Sequence, residues 1–330
     1  MTHRPSVLLI VALFALILLA ILLVAHPASA AVAKCPVFPD NNVWNTRVDT
    51  LPVDAHSDTY VNFIGAGTGL HPDFGSGTYA GGPIGIPYNT VPGTQPLVPV
   101  TFYYQSESDP GPYPIPPNPL IEYGSDHHLL VVDTGHCKLF ELFDASFNGT
   151  WNAGSGAIFD LNSNALRPAG WTSADAAGLP ILPGLARYDE VATGVITHAL
   201  RFTVRATNGQ SIWPARHLTA SPYNASAPPM GQRFRLKAAF DISTFSPQVR
   251  VILRALQTYG MFVADNGSDW FISGAPDPGW QNDILVSELR TITGSNFQAV
   301  DERSLMVNPD SGLAQWTPGN PKVWLPFVKK

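Results

Sequence analysis

From residue 110 to 117 the chain reads Pro-Gly-Pro-Tyr-Pro-Ile-Pro-Pro, five prolines in eight positions. Proline fixes φ and removes a backbone donor, so no helix interior or central strand accommodates such a run. The wider stretch 65–120, opening on Gly65-Ala66-Gly67-Thr68-Gly69, therefore predicts long surface loops or edges. Across 330 residues, 28 Gly and 31 Pro accompany only 13% charged residues. That is too little charge to solvate many helix outer faces, which argues against a helical bundle. It also excludes a coiled coil and a charge-rich disordered chain. The net charge of −6, with basic residues scattered, argues against a nucleic-acid partner.

The first thirty residues read as a signal peptide: Arg4, an apolar run from Val7 to Ala25, and Ala28-Ser29-Ala30 as the cleavage site. The run is long enough that an uncleaved N-terminal anchor is the competing reading. Either way the expected location is secreted or cell-surface, with no stable membrane insertion after cleavage. In such an oxidising compartment, Cys35 and Cys137 are expected to form one disulfide. No spacing supports a metal site, and no fingerprint calls for a cofactor.

Strands are clearest at 97–104, 128–133, 138–143, 195–204, 261–264 and 270–273; in the fourth the period of two puts Ile196, His198, Leu200, Phe202 and Val204 on one face, and Asp265-Asn266-Gly267-Ser268 is expected as a hairpin turn joining the last two. Helices are expected near 185–192, 247–259 and 284–292. The clearest has Ser246 before Pro247, and Val249, Ile252, Leu253 and Leu256 at helical spacing. The expected fold is mainly β: an antiparallel, jelly-roll-like β-sandwich with long Gly/Pro-rich loops and two or three peripheral helices. It forms a single domain over 31–302, followed by a C-terminal tail at 303–330 that docks on it or serves as a sorting tag.

No nucleophile elbow, zincin motif or P-loop is present. His198 shares an apolar strand face with Ile196, Leu200 and Phe202, which suits either a hydrogen-bonded core histidine or an acid–base group lining a groove. Glu190 and Asp126 are the acids of most interest, and His128 opens an apolar strand. Glu141 alternates with Leu139 and Phe143, so it is either buried with a partner or facing a site. Arg216 and His217 end a strand, and Tyr113 belongs to the aromatic set that suits a groove wall. Asp265 and Asp175 have sufficient explanations as turn residues.

These pieces carry a resemblance. Asn42-x-Trp44-Asn45, Gly124-Ser125-Asp126-x-His128, Ser173-Ala174-Asp175-Ala176-Ala177-Gly178-Leu179-Pro180-Ile181 and Glu190-x-x-x-Gly194-x-Ile196-x-His198-Ala199-Leu200 are its most specific parts. The chain from about Cys35 to Asp301 resembles a family of secreted bacterial proteins with no established activity. The resemblance implies a single domain and points to Asp126, His128, Glu190 and His198 as its polar signature; it implies no mechanism.

The expected function is a polysaccharide-degrading enzyme, a glycoside hydrolase or polysaccharide lyase acting on a cell-wall or other glycan as a monomer. His198, Glu190, Asp126 and His128 are the catalytic candidates, and Arg216, His217, Glu141 and Tyr113 the substrate-binding ones. The alternative is a non-catalytic extracellular glycan-binding or structural protein.

Overall fold

The computed structural model describes residues 31–315; the leader and the Trp324–Lys330 end lie outside them. The protein is β-rich. Its longest hairpin pairs β8 (Leu129–Asp133) with β9 (Lys138–Phe143), closed by a turn in which Asp133 accepts from the Gly135 and His136 backbone. Strand β12 (Ser155–Asp160) pairs antiparallel with β9, and β6 (Tyr88–Val91) pairs parallel with β8. This four-stranded sheet is buried on both faces, which explains why β8 reads Leu-Leu-Val-Val rather than alternating. Leu130, Val132, Leu139, Ala157 and Phe159 join the larger core, while Leu129, Val131, Phe140 and Leu142 join a smaller one with Phe102 and Tyr113. A three-stranded sheet of β10 (Ser146–Phe147), β11 (Trp151–Ala153) and β7 (Val100–Phe102) lies beside the smaller core.

The six-stranded sheet runs β17 (Phe297–Ala299), β14 (Arg233–Leu236), β15 (Met261–Asn266), β13 (Leu200–Val204), β16 (Phe271–Ser273), β3 (His71–Asp73). Trp270 stacks between Phe202 and Phe297, with ring centroids 5.5 and 5.2 Å away. Residues from this sheet and from the four-stranded one share the larger core. Strands β1 (Ala31–Val32) and β2 (Cys35–Pro36) form a small ribbon tied by the Cys35–Cys137 disulfide to the β8–β9 turn, with Cα atoms 5.3 Å apart. A second ribbon pairs β4 (Thr78–Tyr79) with β5 (Gly82–Pro83).

Among the described residues four α-helices border the sheets: α1 (Ser57–Ile64), α2 (Tyr188–Thr193), α3 (Pro247–Thr258) and α4 (Asn282–Leu289). The last three fall at the expected places; α3 buries Val249, Ile252, Leu253 and Leu256. Helix α1 carries no sequence signal because it is short and no side chain caps its first turn.

Three expectations are corrected. The pairing is predominantly antiparallel but not wholly so, since each of the three larger sheets contains a parallel pair: β6/β8, β11/β7, β13/β15 and β16/β3. Parallel neighbours need crossovers, and the Pro-rich segment 92–128 is one of them, running mostly over the surface as expected and contributing the edge strand β7. The Asn-Gly hairpin is absent, because β13 lies between β15 and β16. The strand expected over 195–204 begins only at Leu200, since Gly194, in left-handed conformation at φ 90°, ends α2 and the following residues lead into the sheet.

Candidate functional site

Arg201 sits between Leu200 and Phe202 on a buried strand, and a guanidinium there needs a fixed anion. Asp175 supplies it: Nε and Nη2 of Arg201 each donate to one Asp175 oxygen at 2.8 Å, and Nη1 donates to Ser273 Oγ. Burial alone would lower the Arg201 pKa, but the Asp175 charge and hydrogen bonds outweigh it and raise it. The Asp175 loop is itself clamped. Ser173 Oγ accepts from Asp175 N, Ser155 Oγ donates to Ser173 O, and Gly178 N donates to Asp175 O.

Opposite this pair stands Asp265, brought there by a bulge. Phe202 aligns with Val263 but Thr203 aligns with Asp265, so Ala264 is an extra residue on β15. The side-chain alternation resets by one, and Asp265 comes to the face shared by Thr203 and Arg201. Burial and then the Asp175 charge push the Asp265 carboxyl up to about 7, against the opposing effects of Arg201, the Asn266 backbone and His128. Two neighbouring carboxyl groups in unlike settings are a recurring source of a proton donor at neutral pH.

Both acids line a cleft of about 440 Å³ with Ser155, Thr172, Ser173, His217, Glu107 and Tyr104 among its walls. His217 Nδ1 donates to Ala176 O at 2.8 Å, which leaves Nε2 facing Glu107 Oε2 at 3.6 Å. Glu107 rides a 3-10 turn (Gln105–Glu107) anchored by Tyr104, whose backbone donates to Gly154 O.

The residues singled out in the sequence divide sharply. His198 and Glu190 do meet, Nε2 to Oε2 at 3.0 Å, with Arg187 Nη2 3.0 Å from the other carboxylate oxygen. Yet His198 is 0% and Glu190 8% exposed, and neither lines the cleft. Burial opposes ionisation of Glu190, but the His198 and Arg187 charges hold its pKa below the usual range. This is a sealed ion cluster linking α2 to β13. His128 is also buried, between Glu122 Oε2 at 2.5 Å and Ala174 O at 3.0 Å. Burial would lower its pKa, but the Glu122 hydrogen bond and charge prevail and raise it. It therefore props the cleft wall at Ala174 from behind. Asp126 is exposed and accepts only from Ser125 Oγ among the side chains described.

Of the substrate-binding candidates, His217 alone reaches the cleft. Arg216 turns away, donating to Arg167 O, Pro309 O and Asp310, which fastens the described part of the 303–330 tail. Glu141 is fully buried and accepts from the backbone of Ile181 and Leu182 at 2.9–3.0 Å. Burial pushes its pKa up to about 7. Tyr113 fills the smaller core, and its hydroxyl donates to Asp109 O. Arg201, Glu107 and Tyr104 went unremarked in the sequence, although a charged residue between two apolar neighbours on a strand was a usable signal for Arg201. Among the described residues no group of three His, Cys, Asp or Glu is arranged to hold a metal ion.

Compared with known proteins, the chain matches no family model, no curated protein and no solved structure.

Proposed function

We propose that the protein is an extracellular glycan-active enzyme, a glycoside hydrolase whose acid–base centre is the cleft between Asp175 and Asp265. The observation that carries this reading is one carboxyl group whose pKa lies near 7, facing an open cleft beside a carboxylate fixed by an arginine. In this scheme Asp265 protonates the glycosidic oxygen as that bond breaks. His217 Nε2 accepts a proton from the water whose oxygen attacks the anomeric carbon, and the Ala176 carbonyl, holding Nδ1–H, orients the imidazole. Asp175 and Arg201 do not react; they position the site and set the Asp265 pKa.

Extracellular location is part of the proposal. The disulfide, the signal-like leader and the absence among the described residues of any helix long and apolar enough to cross a membrane support it. So is the description of the two larger sheets as layers of a sandwich, supported by their common core. Elimination with His198 as base and Arg216 on a uronate is not retained, because the first is sealed and the second is engaged elsewhere.

The test is reducing-end release by the purified protein from a panel of polysaccharides, with D265N beside it. The wild-type kcat/KM should fall as pH rises through about 7, where Asp265 loses its proton, and D265N should lose roughly 10²–10⁴-fold in rate. Full activity in D265N would remove Asp265 as the acid, and glycan binding without any turnover in wild type would favour a non-catalytic glycan-binding protein instead.

A further inference from the structure

The walls of the cleft carry a second message, about charge. Glu107, Asp175 and Asp265 line it, and no lysine or arginine does. The guanidiniums nearest in the chain fold are all committed. Arg201 is held by Asp175 and Ser273, Arg216 by the 309–310 backbone and side chain, and Arg167 by Asp109 and the Thr172 and Glu107 carbonyls. A sugar carboxylate entering here would meet Glu107 and Asp265, and the one imidazole among the walls, His217, already faces Glu107 Oε2 at 3.6 Å. Desolvating an anion without a partner is costly, and like charges at contact distance add repulsion.

The rim offers the complementary surface. Tyr104 lines the cleft and is 47% exposed; Tyr103 beside it is 83% exposed, with its ring 4.8 Å away and edge-on. Their backbones are pinned to Ala153 and Gly154, so the rings stand on a rigid strand end and not on a loose loop. A fixed aromatic ring at a cleft mouth suits the apolar C–H face of a pyranose, while Glu107 and Thr172 present polar atoms for hydroxyl groups.

We propose that the substrate is an uncharged polysaccharide, with one sugar seated on Tyr104 at the mouth of the cleft, and that glycans rich in uronic acid are rejected. This inference rests on the cleft being the glycan site, but not on Asp265 acting as the acid.

Calorimetric titration of the full protein and of D265N with neutral hexasaccharides (cellohexaose, xylohexaose, mannohexaose) and with hexagalacturonate tests it at pH 8, where Asp265 has released its proton. At least one neutral probe should bind both forms, and hexagalacturonate should bind roughly tenfold more weakly or not at all. Y104A should weaken the neutral probe by about three- to tenfold with an unchanged thermal midpoint, and Y104F should restore it. Equal or tighter binding of hexagalacturonate, no loss in Y104A, or no neutral probe bound at millimolar concentration each overturns the proposal. The two readings fail separately. A neutral glycan bound but never cleaved removes the acid–base assignment and leaves the substrate class. Cleavage of polyuronate that D265N abolishes removes the substrate class and leaves the acid.

Discussion

Replacing Glu141 by Gln should flatten the pH dependence of stability. Glu141 lies in the larger core with its carboxyl oxygens on two backbone N–H groups, and its pKa stands at about 7 in the fold against 4.5 for the free side chain. Between those values the folded chain keeps the proton and the unfolded chain releases it. Raising pH therefore favours unfolding: the contribution is complete below pH 4.5 and is lost as pH passes through about 7. A difference of that size corresponds to roughly 3 kcal/mol over the whole interval. In E141Q the amide oxygen can take the place of Oε1, which already receives both Ile181 N and Leu182 N, so the turn should survive. Urea midpoints at pH 5, 6, 7 and 8 give the two curves. Asp265 and Glu302 are also pushed up to about 7 and tilt both curves alike. Between pH 5 and 8 the wild type should lose roughly 2–3 kcal/mol more than E141Q. Parallel curves would show that the Glu141 proton is not held by the fold.

Three further outcomes are expected. Reduction of the Cys35–Cys137 bond, which closes a separation of 102 residues, should cost up to about 4–5 kcal/mol in unfolding free energy; mass mapping that finds free thiols in exported protein would refute the bond itself. His198→Ala should lower the thermal midpoint, at a cost of about 3 kcal/mol from the Glu190 carboxylate it deserts, and leave activity per folded molecule unchanged; a dead enzyme with an unshifted midpoint would return His198 to the site. Arg201→Met should cost roughly 3–5 kcal/mol by stranding Asp175, and Asp175→Asn in the same chain should recover much of it; additive losses in chemical denaturation would mean the pair is not coupled.

The fold was legible where local pattern decides. Strand β9 spans the residues its alternation marks, and α3 begins at its proline, because both are governed by side-chain period and capping. Strand order was not legible, since nothing local to Asp265-Asn266-Gly267-Ser268 reveals that β13 will insert beside β15. The candidate site suffered from the same limit. Glu190 and His198, both singled out by residue type and setting, do meet, but burial is a property of the assembled layers, and it sealed them. Asp265 was set aside because a turn explained it, and its Oδ1 does accept from Asn266 N as such a turn would have it. One extra residue in β15 gives it a second role.

That bulge also explains why the acid and the fixed ion pair occur together. Without Ala264 as the extra residue, Asp265 would fall on the opposite face of β15 from Arg201, and neither its neighbour Asp175 nor the cleft would be within reach. An aspartate left beside Asp175 with no guanidinium would place two like charges in one buried setting, which only protonation of one relieves. Arg201 fixes which one. Its bidentate grip commits both Asp175 oxygens, while Asp265 keeps only a backbone donor, from Asn266. The proton therefore resides on the carboxyl group that also reaches the cleft, where a substrate oxygen can take it.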